Sequence, residues 1–125
     1  MQFPAFMKKK NISIKFISQV MTPVPKSIGP DISVAKAQEV MESYKIRHLP
    51  VMVGNRVIGV LSDRNVKAAA LSRWGKDFVV KDVMMPDPYV TRPSMTLDKV
   101  LSEMHRYKYG SVIVQEKGGE VVGIF

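Results

Sequence analysis

The chain has 125 residues, enough for one compact domain or two very small ones, and its 46% hydrophobic and 24% charged residues argue against wholesale disorder. Because it contains no cysteine, a disulfide scaffold, a cysteine-ligated metal site and a thiol nucleophile are all excluded. Its net charge of +8 would suit nucleic acid, an anionic membrane surface or a small anionic ligand.

The first 19 residues form a basic segment ahead of the rest of the chain. They include Lys8, Lys9, Lys10 and Lys15 and no acidic residue, so they contribute +4 of the net charge of +8. No apolar run approaches the roughly 20 residues that a membrane-spanning helix needs, and the N-terminus lacks the apolar stretch of a signal peptide. We therefore expect a cytoplasmic protein without a membrane partner. A nucleic-acid partner is the least favoured function, because half of the net charge lies in this segment and no cluster of Lys and Arg elsewhere is interleaved with aromatic residues.

The remainder of the chain contains an internal repeat. The motif VMTP at residues 20–23 returns as VMMP at residues 83–86, an offset of 63 residues. The same offset aligns further pairs, which are Pro30 with Pro93, Ser33 with Thr96, Met41 with Met104, Tyr44 with Tyr107 and Val51 with Val114. This spacing is too long for an ordinary solenoid and indicates a duplicated unit of about 60 residues. Because so small a unit buries little core alone, we expect the two halves to pack on each other.

The chain divides into a basic segment at residues 1–19, a first repeat at 20–82 with its linker at 73–82, and a second repeat at 83–125. Each repeat shows an extended piece, a helix after a Ser or Thr cap, and two strands joined by a tight turn. In the first repeat these are Ser27–Ile28, a helix capped by Ser33, strands Leu49–Val53 and Val57–Leu61, and a further helix Asp63–Leu71. In the second they are Val90–Thr91, a helix capped by Thr96, and strands Ser111–Gln115 and Glu120–Ile124. The predicted fold class is α/β, of the α+β kind, with two tandem β-α-β-β-α repeats, the second lacking its final helix.

The stretch GVLSDRN at residues 59–65 reads as the end of a strand that runs directly into a helix. Ser62 is a good N-cap, and a helix start carries unpaired, partially positive N–H groups, which makes it a natural seat for a phosphate. Arg64 adds a cation that can hold a phosphate through two hydrogen bonds, and Gly59 lets another group approach the backbone closely. The alternative interpretation is that Ser62 only caps the helix.

Together, the order, spacing and duplication of VMTP, HLPV and GVLSDRN resemble the CBS domain, the regulatory module of the cystathionine-β-synthase type, over residues 20–125. The resemblance implies that the repeats pack through their sheets and leave two clefts, which in this family commonly bind AMP, ADP, ATP or S-adenosylmethionine. It places Ser62 at the phosphate and Asn65 at the ribose, where most relatives are expected to have Asp. Since the sequence stops at Phe125, one residue before the second Ser/Thr position, it predicts an incomplete second site.

The same resemblance assigns further residues to the first cleft. Arg47 and His48 lie at the edge that often contributes a phosphate-binding basic residue, and Ser27 and Ile28 match the segment that lines the adenine pocket. The candidate nucleotide-binding residues are Ser27, Ile28, Arg47, His48, Pro50, Gly59, Val60, Ser62, Arg64, Asn65, Tyr109 and Gly110.

These features predict a regulatory protein that senses an adenine nucleotide, forms a homodimer and acts on a separate protein or through its own association. No cofactor is required, and magnesium would enter only with ATP. We do not expect an enzyme, because the chain has two histidines, no cysteine, no glycine-rich phosphate loop and no acidic motif suited to acid–base chemistry. The alternative function is a ligand-free module for dimerisation or interaction.

Overall fold

The computed structural model describes residues 13–24 and 26–125, which form short strands, four α-helices and two 3-10 turns. The strands are β1 (Thr22–Pro23), β2 (His48–Val53), β3 (Arg56–Ser62), β4 (Met85–Pro86), β5 (Val90–Thr91), β6 (Ile113–Gln115) and β7 (Val121–Ile124). The helices are α1 (Val34–Tyr44), α2 (Asp63–Ala70), α3 (Val80–Val83) and α4 (Leu97–Tyr107), and the 3-10 turns are Ile17–Gln19 and Gly75–Asp77.

The first helix of each repeat begins and ends in the same way. The side chains of Ser33 and Thr96 accept hydrogen bonds from the amide three residues further on, at 3.1 Å and 3.3 Å. Both helices end at a lysine in the left-handed conformation, Lys45 with φ of 54° and Lys108 with φ of 60°. These matched ends confirm the predicted caps and show that the two repeats share one local architecture.

The two sheets exchange strands between the halves of the chain. One sheet has the order β2-β3-β4, so its third strand comes from the VMMP motif that opens the second repeat. The other has the order β1-β7-β6-β5, so its edge strand comes from the VMTP motif that opens the first repeat. Each repeated motif therefore adds a strand to the sheet of the other half.

Two hydrophobic cores follow the same exchange. The first lies between α1, α2 and the β2-β3-β4 sheet; its buried residues are Val34, Ala37, Met41, Leu49, Val51, Leu61, Val66, Ala69 and Val80. The second lies beneath α4; its buried residues are Ile17, Leu97, Val100, Met104, Val112 and Val114. Ile17 and Val80 hold equivalent positions, because each precedes an exchanged strand and fills a core. Packing also crosses the predicted repeat boundaries, because Met84 packs against the first core and Met21 packs against the second.

Most predicted elements lie within one or two residues of their observed bounds, and the differences concern short segments. The strands β1 and β4 were not predicted, because a two-residue strand that contains proline carries no alternating pattern. The linker at residues 73–82 contains the 3-10 turn Gly75–Asp77 and the start of α3. The basic segment of residues 1–19 lies largely outside the described residues.

Candidate functional site

The predicted turn at Ser62 has the expected local geometry. Strand β3 ends at Ser62, helix α2 begins at Asp63, and the Ser62 Oγ accepts a hydrogen bond from the Asn65 amide at 3.1 Å. Ser62 therefore caps the helix, as predicted. Because the hydroxyl acts here as an acceptor, its own proton can still be donated to an anionic oxygen.

The first turn of α2 leaves one backbone donor open. The Asp63 amide donates to the Arg47 carbonyl at 2.8 Å, and the Asn65 amide donates to Ser62. The Arg64 amide makes no such bond to any residue that the structure describes. The Asp63 carboxylate, which would repel a phosphate, lies 3.1 Å from the Lys67 ammonium, so its charge is partly compensated.

The start of β2 lies directly beside this turn. His48 pairs with Ser62 in the antiparallel register of β2 and β3, and the Arg47 carbonyl receives the Asp63 amide. His48 is exposed at the start of β2, and the partial burial of its ring lowers its pKa below the ordinary value of 6.5; the Asp63 carboxylate opposes this shift and the Arg47 cation reinforces it. The shift favours the neutral imidazole, and Arg47 provides a permanent positive charge at this point.

A cavity of about 310 Å³ opens between the start of β2 and the edge of the other sheet. It is lined by Thr22, Pro23, Val24, Lys45, Ile46, Arg47, His48 and Ile124. One wall is basic, formed by Lys45 and Arg47, and the facing wall is mainly apolar. Such a cavity suits a ligand with an anionic end and a flat apolar part.

A second cavity of about 330 Å³ adjoins the first, since Val24 lines both, and we call the two cavities together the crevice. Its walls include Ser27 together with Met52, Asn55 and the turn at Gly119. Gln115 donates through its side-chain nitrogen to the carbonyls of Asn55 and Gly119, at 2.6 Å and 2.8 Å, so this end is held by contacts between the two halves. Ser27 therefore lines this cavity.

Several candidate residues have structural positions within the sheet. Pro50 and Val60 are buried, and Pro50 pairs with Val60. A Cβ on Gly59 would lie 2.9 Å from the Met85 carbonyl oxygen and would also meet the Met84 side chain. The group that approaches Gly59 closely is therefore the chain's own strand β4. Ile28 packs against the first core and bridges to Val51 in β2.

Two candidates from the second repeat lie elsewhere. The Tyr109 ring stacks on the Tyr89 ring, with 4.9 Å between their centroids. The Tyr109 amide donates to the Met104 carbonyl at the end of α4. Neither Tyr109 nor Gly110 lines the two cavities of the crevice. At the repeat offset of 63 residues they correspond to Ile46 and Arg47, so they hold the equivalent position in the other half.

Asn65 has a partner that the sequence did not indicate. Its side-chain Nδ2 donates to the Val83 carbonyl at 3.3 Å, which ties the turn to the segment just before β4. Sequence reasoning also missed Thr22, Val24 and Lys45 as lining residues. The repeated VMxP motif was the available signal for Thr22, but it did not reveal that the motif crosses to the other sheet.

Other kinds of site find no support in residues 13–24 and 26–125. No three histidine, aspartate or glutamate side chains come together there in a way that could hold a metal ion. Nor does any helix in this part of the chain have the length and hydropathy to cross a membrane.

Comparison with known proteins matches the chain to the CBS domain model at residues 17–72 and 80–125. Inosine-5'-monophosphate dehydrogenase of Korarchaeum cryptofilum is 32% identical over 98 residues, which are 78% of this chain and 20% of that enzyme. The chain thus spans about one fifth of the length of the curated dehydrogenases that it matches.

Two solved structures share the fold. The crystal structure of CBSX2 in complex with AMP is 28% identical, with a TM-score of 0.68 and 88% of each chain covered. The CBS domain pair of protein MJ0100, in complex with 5'-methylthioadenosine and S-adenosyl-L-methionine, is 22% identical, with a TM-score of 0.72 and 90% of each chain covered. With two family matches that follow the internal repeat, the chain belongs to the CBS domain family, as a tandem pair.

Proposed function

We propose that this CBS pair is a regulatory module that binds an adenine nucleotide, AMP in the first instance, in the crevice between its two sheets. The observation that carries the proposal is that a capped helix start is hydrogen-bonded to the basic wall of the crevice. Lys45 and Arg47 form this wall, and the Asp63 amide donates to the Arg47 carbonyl, which joins the wall to the turn at Ser62, although Ser62 itself lines neither cavity.

The phosphate would lie at this basic wall. Arg47 can offer two parallel hydrogen bonds to phosphate oxygens, the Ser62 hydroxyl can donate its proton, and the Arg64 amide is open among the described residues. Neutral His48 can donate a further hydrogen bond without adding charge. These groups give a mononucleotide a charged anchor of fixed geometry.

The nucleoside would extend along the crevice toward Ser27. Val24 lines both cavities, and the walls near it include Pro23 and Ile124, which offer an apolar surface to a purine. The resemblance places Asn65 at the ribose; Asn65 lines neither cavity, and its Oδ1 can accept from a hydroxyl while its Nδ2 is directed to the Val83 carbonyl. The relative crystallised with AMP, at 28% identity, supports AMP as the first ligand to test.

Regulation would follow from where the ligand lies. The crevice is bounded by β1, which belongs to the sheet of the second half, and by the start of β2, which belongs to the first. A ligand that contacts both walls favours one relative position of the two sheets over others, and this is a population shift. The module would thereby report nucleotide concentration to a partner, with no catalytic role of its own.

One observation favours the alternative, a ligand-free interaction module. The Ser62 hydroxyl and the Asn65 amide both have partners within the protein, so the turn is stable with no ligand present. On this alternative the sequence GVLSDRN is kept for the fold alone.

Isothermal titration of AMP, ADP, ATP and S-adenosylmethionine separates the two functions, with magnesium added for ATP. The matched pair of variants is Ser62→Ala and Ser33→Ala, since each removes an N-cap with the same 3.1 Å hydrogen bond. We expect saturable binding of AMP that weakens about tenfold in Ser62→Ala and stays unchanged in Ser33→Ala. No heat from any ligand, in a chain shown to be folded, would favour the ligand-free module.

A further inference from the structure

The end of helix α2 presents large apolar side chains to solvent. Leu71, at the helix C-cap, is 90% exposed, and Trp74, in the turn that follows, is 59% exposed. Neither is needed by the two cores, whose members lie elsewhere. Leu71 and Trp74 together form an exposed apolar tip, and an exposed apolar patch of this kind indicates an interaction site.

The turn that contains Trp74 is held by backbone hydrogen bonds and by close packing against α2. The Gly75 amide donates to the Ser72 carbonyl at 3.2 Å, and the Asp77 amide donates to the Trp74 carbonyl at 2.9 Å. A Cβ on Gly75 would lie 2.7 Å from the Ala69 carbonyl oxygen, so the turn folds tightly back against the end of α2. The exposure of the tip is therefore a property of the fold.

Cations surround the apolar tip. The Arg73 guanidinium lies 5.5 Å from the centroid of the Trp74 ring, and Lys76 is exposed two residues further on. Lys67 and Arg64 are exposed on the same face of α2, since they precede Leu71 by four and seven residues. Two acids lie nearby: Asp63 is paired with Lys67, and Asp77 is exposed. The surface is thus positive, with four cations and two acids.

We propose that this surface, which we call the Trp74 surface, docks onto the anionic headgroups of a phospholipid membrane. Its members are Arg64, Lys67, Leu71, Arg73, Trp74 and Lys76. An indole and an aliphatic side chain enter the headgroup region while flanking cations contact lipid phosphates, which is the usual chemistry of interfacial binding.

Two other occupants fit less well. A second copy of the chain would bring the four cations of one surface against the four of the other. Single-stranded nucleic acid needs several flat platforms for base stacking, whereas the most exposed group here is the aliphatic Leu71. The sequence alone predicted no membrane partner, because its pattern did not show that Leu71 and Trp74 lie outside the cores.

The test uses the fact that Trp74 is the chain's single tryptophan. Its fluorescence is recorded while the full chain is mixed with vesicles of phosphatidylcholine alone or of phosphatidylcholine with phosphatidylserine. We expect a blue shift and co-sedimentation only with the anionic vesicles, both reversed by added salt. The experiment is run without nucleotide, because Arg64 belongs to both proposed sites, and its outcome then does not depend on the proposed function.

Variants that keep the reporter locate the contact. Leu71→Ser and Arg73→Gln should each reduce co-sedimentation several-fold, whereas Val53→Ser and Lys36→Gln, which alter exposed residues elsewhere, should not. All four variants retain the lysines of residues 1–19, so sedimentation that persists unchanged in Leu71→Ser and Arg73→Gln would overturn the proposal. A blue shift that grows with protein concentration alone would indicate association with a second copy and would also overturn the proposal. A blue shift seen with polyuridylate and not with vesicles would overturn it in favour of nucleic acid.

Discussion

The side-chain amide of Asn65 has two chemically different ends, and this chain uses the difference. Its Nδ2 donates to the Val83 carbonyl at 3.3 Å, which a carboxylate could not do, because both oxygens of an aspartate are acceptors. The hydrogen bond joins the turn after β3 to the segment before β4. It gives a physical reason for asparagine at a position where most relatives are expected to have aspartate.

Replacing this amide with a carboxylate should therefore weaken the fold. We expect Asn65→Asp to lower the free energy of unfolding by about 1 kcal/mol, since the lost hydrogen bond outweighs the favourable charge near the start of α2. Urea denaturation measures this change. If AMP binds as proposed, Asn65→Asp should retain binding, while Asn65→Ala should weaken it about tenfold. An Asn65→Asp chain as stable as the wild type would show that the bond to Val83 contributes nothing.

His48 should make the stability depend on pH. Burial lowers its pKa in the folded state below the ordinary value of 6.5. The folded chain then binds fewer protons than the unfolded chain, so this contribution to stability is complete above pH 6.5 and is lost as the pH falls through the folded-state pKa. The urea concentration at the unfolding midpoint should decrease as the pH is lowered from about 7.5 to about 5.5. The decrease should be less steep in His48→Gln. Equal slopes in the two proteins would contradict this assignment.

The exchanged strands β1 and β4 explain two glycines that are otherwise hard to interpret. Gly59 in β3 lies against Met84 and Met85, and Gly123 in β7 lies against Met21 in the same manner. In both places the glycine lets a strand from the other half come close. The glycine of GVLSDRN therefore has a structural role, which is separate from the chemistry of Ser62.

A methyl group at Gly59 tests this role. It would meet the backbone of β4 at 2.9 Å, so Gly59→Ala should lower the free energy of unfolding by about 1–3 kcal/mol. The matched control is Gly118→Ala, where a Cβ has nothing within 4 Å, and the change should stay within about 0.5 kcal/mol. Thermal or urea denaturation of both variants provides the comparison, and equal stabilities would exclude the close approach as the reason for glycine.

The sequence was informative where the signal is local. Ser33, Ser62 and Thr96 were predicted as caps because capping depends on residues within one helical turn. The strands β1 and β4 were not predicted, because they exist only through pairing with residues far along the chain. The same limit applies to the crevice: Arg47 was predicted at its edge, while Lys45 and Val24 line it only because of how the halves pack.

At the scale of the whole molecule, the exchange makes the halves depend on each other. Each sheet includes a strand from the other half, and each core includes a residue, Ile17 or Val80, from the segment before the exchanged strand. Neither sheet is complete without both halves. The pair should therefore fold as one cooperative unit, although its sequence is a duplication.

Urea unfolding recorded by two probes tests this cooperativity. Trp74 fluorescence reports on the segment between the repeats, and far-ultraviolet circular dichroism reports on all helices and strands. We expect the two curves to coincide with a single midpoint, because loss of either sheet removes a strand from the other. Two separated transitions would mean that the halves fold independently.

The proposed adenine-nucleotide site lies at the basic wall of the crevice and the adjoining helix start at Ser62. The most direct measurement is the change in amide chemical shifts of the ¹⁵N-labelled chain as AMP is added. We expect saturable changes at His48 and at Asp63, Arg64 and Asn65, with Tyr109 and Gly110 unaffected. Saturable changes confined to residues outside the crevice, or none with the chain folded, would contradict it.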